Sequence, residues 1–391
     1  MRAEERLVSL EKKLLKAPEV AERDKEVMNA NIEKGYVRKL VSQSQAVGPA
    51  WYLPHFPVIR EDKQTTRVRI VFDSAAREQA TSLNDAMLTG PKLQKDVMEI
   101  LLRFREKPVA IVDDIKEMFS QVILAEKDRR FHRFLWRDLD QTRPIDVYEA
   151  VRLTFGNRAS PYLAQFVVRS HAERFKKEFP LAAAVVLSKM YMDDVLDSRD
   201  TEGEAIEVRE QLTGLLRRGG FQIRRWCSNK ANVLKEIPEE DRATGVKVVE
   251  SELPCLKTHG LEWNAGKEVF QFTINSNVSS MLTHTKRRLL SRIATLFDPL
   301  QFLAPFTIRA KMALQESWLQ GLAWDEKLPE DLAYRVSRWI EQLPQLAGLQ
   351  IQRCLRSEGQ VSEVSLHTFT DAPTRHTLQL PTLDTSMEVA T

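Results

Sequence analysis

Leu181-Ala-Ala-Ala-Val-Val-Leu187 followed by Tyr191-Met192-Asp193-Asp194-Val195-Leu196 is the stretch on which the reading of this chain turns. Two adjacent carboxylates come after an aromatic residue and a methionine, with apolar residues on both sides. The pattern predicts a hairpin whose tip presents acids between two buried strands. Neighbouring residues of a strand point to opposite faces, so Asp193 and Asp194 converge on one ion only at a turn. Clustered carboxylates repel each other, and gathering them is unfavourable unless a cation neutralises them. Hard oxygen ligands of this kind suit Mg²⁺ or Mn²⁺. An Asp-Asp pair by itself is more simply a solvated turn, so its company elsewhere in the chain decides the matter.

That company is Val109-Ala-Ile-Val-Asp113-Asp114-Ile-Lys-Glu-Met-Phe119. Val109 to Val112 reads as a short buried strand ending in acids, and Ile115, Met118, Phe119 and Val122 follow at helix-like spacing. An acid at the end of a core strand can face a cleft. Asp114 lies 79 residues before Asp193, so a shared site has to be tertiary.

On these residues the sequence resembles the reverse transcriptase of retroelements. Asp114 with Phe119 five residues on matches that family's first catalytic motif. Leu153-Thr-Phe-Gly-Asn-Arg-Ala-Ser-Pro161 matches the second, and Tyr191-Met-Asp-Asp194 the third, all in the family's order. The flanks are similar to the Pao/Bel group of long-terminal-repeat retrotransposons: Tyr52-Leu-Pro-His-Phe-Pro-Val-Ile-Arg-Glu-Asp62, Ser82-Leu-Asn-Asp85, Thr89-Gly-Pro91, Gly219-Gly-Phe-Gln-Ile-Arg-Arg-Trp226, and Phe297-Asp-Pro299. The resemblance covers roughly residues 45 to 372.

The resemblance implies an α+β right-hand polymerase (fingers, palm, thumb) with a split βαβ, ferredoxin-like palm. It implies template-directed addition of deoxynucleotides to a primer 3′ end, on an RNA or DNA template. Two Mg²⁺ or Mn²⁺ ions would be held by Asp114, Asp193 and Asp194, and dNTPs are the implied substrates. Counting back from Phe119-Ser-Gln121, the family spacing selects Asp114 over its neighbour Asp113. Phe119 matches the ring beneath the sugar, and Arg69 the residue that holds the triphosphate, with Arg60 a looser second. Phe155 and Gly156 match the loop that packs on nucleotide and template. For primer and template, the implied residues are Tyr191, Met192, Trp263 in a primer-grip-like hairpin, and Lys286, Arg287 and Arg288. The family also places a basic group near the leaving pyrophosphate, for which both Arg225 and Lys230 stand as candidates.

Departures from the pattern are Phe56, where relatives tend to carry His, and Gln301, where Gly is usual. Leu366-His-Thr-Phe-Thr-Asp371 resembles the opening strand of a ribonuclease H domain, but only 20 residues follow, in a tail without strand or helix pattern. Ribonuclease H is therefore expected to be truncated and inactive, and the chain a polyprotein fragment. The competing functional reading is a catalytically silent nucleic-acid-binding remnant that keeps the fold.

Composition agrees with a globular protein: 391 residues, 43% hydrophobic, 29% charged, net charge +3. No apolar run approaches the roughly 18 residues of a membrane span, and the charged N-terminus lacks a signal-peptide core. Three scattered cysteines suggest a reducing compartment, so an intracellular site, cytoplasmic or nuclear, is expected. Basic residues gather at 60–69 and 286–311, where they can track phosphates.

The expected organisation is a helical lead-in over 1–45, then fingers over 46–108 and palm over 109–278. A helical thumb or connection over 279–355 and a truncated ribonuclease H start over 356–391 complete it. Leu7, Leu10, Leu14 and Leu15 predict one N-terminal helix with a charged stretch after it. Strand alternation is expected over 67–72, with helices over 96–104, from Ser160, and over 202–218 up to Gly219-Gly220. The helix from Ser160 is expected to bury Leu163, Phe166, Val167, Ser170 and Phe175. A strand is expected over 221–223, a hairpin from 261–263 and 269–274, and helices from Lys286 broken at Pro299 and Pro305.

Overall fold

The structure, a computed structural model, describes residues 2–41, 48–59, 68–243, 255–258, 261–272, 274, 284–356, 367–369 and 382–384. Arg60, Lys63, Arg67, Leu366, Asp371 and Glu388 lie outside the described residues. The chain divides into two compact units: Met1–Gln94 with Ile115–Val186 and Thr213–Gln222, and Lys95–Asp114 with Leu187–Leu212 and Ile223–Thr391.

In the first unit, helices Arg2–Leu14 and Pro18–Glu33 open the chain. The second replaces the expected charged stretch. It buries only Asp24 and Met28, a stripe too narrow to register as helical periodicity. Ala3 and Leu7 pack on Leu135, while the buried Glu11 carboxylate accepts two bonds from Arg137, at 2.8 and 2.6 Å. Met28 joins Phe72, Phe134 and Trp136 in the main core. A sheet in the order Val37–Lys39, Asp146–Ala150, Arg133–Trp136 and a hairpin of His55–Ile59 with Val68–Phe72 supply the strands. Burial alternates along Val68–Phe72 as expected.

Helix Ser160–Phe175 starts where expected, with Pro in its first turn, but a different face is buried. Ala164, Val168 and Ala172, four apart, face inward, and Phe166 is 48% exposed. Small side chains take the closely packed side and the bulky ones lie at its margins. The apolar run 181–187 is a second difference: Pro180–Ser188 is an α-helix, not a strand. Periodicity cannot separate a fully buried strand from a fully buried helix, and here three alanines and a leading proline favour the helix.

In the second unit, the central sheet runs Met190–Tyr191, Asp194–Arg199, Val109–Ile115, Ile223–Ser228. Numbered along the chain this order is 2-3-1-4, with helix Glu202–Arg218 between the last two strands, which is the split βαβ arrangement. All seven residues of Val109–Ile115 are buried. Helix Val97–Phe104, capped by the Asp96 carboxylate, packs beside Asp194–Arg199. The last strand begins at Ile223 and runs to Ser228, later and longer than expected.

A second sheet contains Cys255–Thr258, Leu261–Asn264, Val269–Gln271 and Gln350–Gln352 in that order. Its middle pair is the expected hairpin, with Trp263 opposite Phe270; the strand at 350 has no sequence signal. Helices Lys286–Ala294, Ala304–Leu319 and Glu330–Gln342 close around Leu289, Ala310, Val336 and Trp339. Pro305 sits in the first turn of its helix and does not break it. His367–Phe369 pairs with Thr382–Asp384, so the tail does contain a strand. Among the described residues, no helix is long and apolar enough to cross a membrane.

Candidate active site

Asp114 is the sixth residue of a fully buried strand, and its ladder partner is Asp194. Tyr191 also pairs with Asp194, so Met192 and Asp193 form the tip of a tight hairpin. Met192 takes a left-handed φ of 57°, a strained conformation for a side chain of this size. The result is one carboxylate from each of Asp114, Asp193 and Asp194 with ligand oxygens all within 4.8 Å of one another. The turn thus does what the alternation of a strand forbids. Burial, and then the charge of Asp193, push the Asp114 carboxyl up to about 6, against the pull of Arg224 and Arg225. An all-oxygen, strongly anionic donor set of this kind fits Mg²⁺ or Mn²⁺.

Arg224 Nε lies 3.4 Å and Arg225 Nη1 3.9 Å from Asp114 Oδ2. Consecutive strand residues normally point apart. Here Arg225 has φ 60°, and the left-handed step interrupts the strand where both guanidiniums reach one carboxylate. Lys230 lies elsewhere. Its neighbour Asn229 bonds Ala110 N (2.9 Å) and Pro108 O (2.8 Å), at the opposite end of the Asp114 strand, about 13 Å away at strand rise. Arg225 is therefore the basic group at the acids, and Arg224, which the sequence reading did not select, accompanies it.

Asp113 faces away from this cluster. It pairs with Val195, and on its side of the sheet the diagonal neighbour is Asp197, opposite Ile111. Asp197 is fully buried and held by Lys189 and by Arg199 at 2.7 Å. Asp113 is 1% exposed and neither oxygen has a hydrogen-bond partner. Burial, with Asp114, Asp194 and Asp197, holds its carboxyl well above the usual range, and it lies in the core apart from the carboxylate cluster.

The expected nucleotide-binding residues of the first unit form their own cluster. The Arg69 guanidinium lies 5.4 Å from the Phe155 ring centroid, and Phe119 stacks obliquely on Phe155 at 5.1 Å. Gly156, at φ 111°, comes so close to the neighbouring strand that a Cβ would fall 1.8 Å from the Phe72 carbonyl oxygen. Phe72 N donates to Phe155 O (2.9 Å), and Asn84 Nδ2 donates to Gly156 O (3.2 Å). The Ser82-Leu-Asn-Asp85 motif is a capping box that holds this asparagine in place.

Three residues expected on primer or template make contacts within the protein, two of them buried and Arg287 at the surface. Trp263 is fully buried, edge-on to Phe104, with Nε1 donating to Glu268 Oε1 at 3.0 Å. Lys286 is 3% exposed; its ammonium bonds Leu322 O and sits 3.9 Å from the Trp318 ring centroid. Arg287 makes a two-point contact with Asp325, at 2.8 and 2.9 Å. These groups hold a helix start and a hairpin together, and neither the Trp263 nor the Lys286 side chain faces solvent.

A polar hub was invisible in the sequence. Arg353, fully buried, donates to Glu268 Oε1 (2.8 Å) and Oε2 (2.7 Å), to Lys107 O and Pro108 O (2.9 Å each), and to Phe104 O. Asn229 adds a bond to Glu268 Oε2 at 2.6 Å. The hub ties the hairpin 261–271 to the start of the strand that carries Asp114. Its members are up to 249 residues apart, so no local pattern announces it.

Two family models match the sequence. Reverse transcriptase (RNA-dependent DNA polymerase) matches residues 61–234, and the Pao retrotransposon-like RNaseH-like domain matches residues 285–379. The second begins well before the expected ribonuclease H start and takes in the three helices from Lys286. No curated protein matches. Among solved structures, the foamy viral protease-reverse transcriptase dRH in complex with double-stranded DNA superposes with a TM-score of 0.51 at 15% identity, over 81% of this chain and 46% of that one. The foamy viral protease-reverse transcriptase in complex with an RNA/DNA hybrid gives 0.51 and 15%, over 82% and 36%. The chain thus spans less than half the length of either. The shared fold is the α+β polymerase fold. One polypeptide thus carries a segment that matches the reverse transcriptase family, followed by one that matches the Pao retrotransposon-like RNaseH-like domain.

Proposed function

We propose that this chain is an RNA-directed DNA polymerase that adds deoxynucleotides to a primer 3′ end. The observation that carries the proposal is the convergence of the Asp114, Asp193 and Asp194 carboxylates. Two Mg²⁺ or Mn²⁺ ions held there would activate the primer hydroxyl and neutralise charge developing on the α-phosphate. Asp114 and Asp193 are assigned as the shared ligands, with Asp194 beside them. Arg224 and Arg225 offset the acid charge and offer donors to the departing pyrophosphate, the role left open between Arg225 and Lys230. Arg69 is assigned to the triphosphate, Phe119 to the sugar, and Phe155-Gly156 to the floor beneath them. Tyr191 and Met192, at the hairpin tip, are assigned to the primer end.

Fingers are assigned to 46–108, palm to 109–278 and thumb or connection to 279–355. The duplexes bound in the foamy viral structures support a primer–template partner of the same kind. Primer extension on an RNA template with dNTPs and Mg²⁺ tests the reading. Asp193→Asn should abolish extension and leave salt-dependent duplex binding intact; retained extension would refute the ligand assignment. A folded wild-type chain that binds duplex without extending it would establish the silent-remnant reading instead. We also propose that this chain leaves the RNA of a hybrid uncut, and release of labelled RNA fragments from the same substrate would overturn that.

A further inference from the structure

Phe119 rides on a single four-residue helical turn, Met118–Gln121. One turn of helix does not hold itself together in water. The residue that starts it, Glu117, has a left-handed backbone (φ 51°) and makes no capping bond to the turn. Something else must fix it.

The fixing group is Tyr36, which comes from beyond the N-terminal edge of the matched reverse transcriptase segment. Its hydroxyl donates to Glu117 Oε2 at 2.7 Å and accepts from Gln121 Nε2 at 3.1 Å, bracketing both ends of the turn. Lys34 Nζ donates to the other Glu117 oxygen at 2.7 Å. Tyr36 is itself anchored, since its carbonyl accepts from Val151 N at 2.8 Å. On the far side Arg152 Nη1 donates to Gln121 O at 2.9 Å. The Phe119 ring then rests against Phe155.

We infer that Tyr36 is a positioning residue for sugar discrimination: its hydroxyl, strung between Glu117 and Gln121, sets where Phe119 stands and hence how strictly a 2′-hydroxyl is excluded. The inference rests on the reading of Phe119 as the ring beneath the sugar. Exclusion by van der Waals contact is steep in distance, so a shift of a few tenths of an ångström in the ring is felt. The strut bonds the two ends of the turn that carries Phe119, so its loss should act first on where that ring stands.

The test compares wild type, Tyr36→Phe, Glu117→Gln and Phe119→Val in single-nucleotide primer extension. The readout is kcat/KM for a dNTP against the matching rNTP. Tyr36→Phe removes one oxygen and keeps the ring; it should lower the dNTP/rNTP ratio by several-fold to about tenfold, in keeping with loss of a hydrogen bond to a charged acceptor. Glu117→Gln should move the ratio the same way, and Phe119→Val should move it further. If Tyr36→Phe lowers both kcat/KM values in parallel, or leaves the ratio within twofold while Phe119→Val collapses it, the strut is merely structural and the inference falls. If Phe119→Val itself leaves the ratio unchanged, the gate reading fails first and takes the strut with it.

Discussion

Replacing Asp114 with Asn should abolish primer extension and yet make the divalent-free protein more stable above pH 6. Asp114 carries a side chain only 10% exposed, and burial followed by the Asp193 charge raises its carboxyl from 3.8 to about 6. A native value above the unfolded one means that the folded state keeps a proton which the unfolded state has released. The stabilising contribution is complete below pH 3.8 and is lost as the pH rises through about 6. Each unit is worth about 1.4 kcal/mol, so holding the ionised carboxylate in place at pH 8 costs about 3 kcal/mol. Asn is close in shape and carries no charge. Urea unfolding in EDTA at pH 8 should show the variant ahead by up to about 3 kcal/mol, and the gap should close as the pH approaches 4. Adding Mg²⁺ at pH 8 should stabilise the wild type alone, and proton release on binding should appear only as the pH is lowered towards 6. A variant less stable than wild type at pH 8 without divalent ions would show that Arg224 and Arg225 outweigh burial, and the account of the site as a charge awaiting a cation would be wrong.

Two further outcomes follow from the packing. Gly156→Ala places a Cβ 1.8 Å from Phe72 O at a φ of 111°, so the 155–156 loop must shift; stability should drop by about 1–3 kcal/mol and KM for dNTPs should rise. An unchanged KM would detach this loop from the nucleotide. Arg353→Met leaves Glu268 and three carbonyls without their buried donor, a loss of about 3–5 kcal/mol in urea unfolding. A loss under 1 kcal/mol would mean that the hub is filled by water and fixes nothing.

What the sequence made legible is local. The acids of the Asp193-Asp194 tip, the strand ending at Asp114 and the stop at Gly219-Gly220 each need only a few neighbouring residues to read. The run 181–187 failed because full burial removes the polar beat that distinguishes a helix from a strand. The helix from Ser160 buries another face than its largest side chains suggest, because Ala164 and Ala172 allow closer packing there. The orientation of Trp263 and Lys286 was hidden for a related reason: an aromatic or a cation in a matching motif says nothing about which way it turns, and here both turn inward. Arg353 and Tyr36 act across 85 and 81 residues, on Glu268 and Glu117, and sequence spacing holds no trace of either.

The two faces of the central sheet solve opposite problems with the same residue type. On one, Asp114 and Asp194 stand directly across the ladder, and the turn adds Asp193, so the charge is concentrated where a cation can enter. On the other, burial holds the Asp113 carboxyl well above the usual range, and Asp197 is paired with Lys189 and Arg199. Were Asp113 ionised as well, its charge would lie one residue from Asp114 in a dry sheet, and the cluster would repel itself apart before any cation arrived. A one-residue slip of the Val109 strand would exchange the faces, putting Asp113 at the cleft and burying Asp114. The Asn229 bond to Ala110 N and the Arg353 bond to Pro108 O pin that strand at its other end, which sets the register. Which of two adjacent aspartates joins the carboxylate cluster is therefore a matter of register, supported about 13 Å away by the Asn229 and Arg353 bonds.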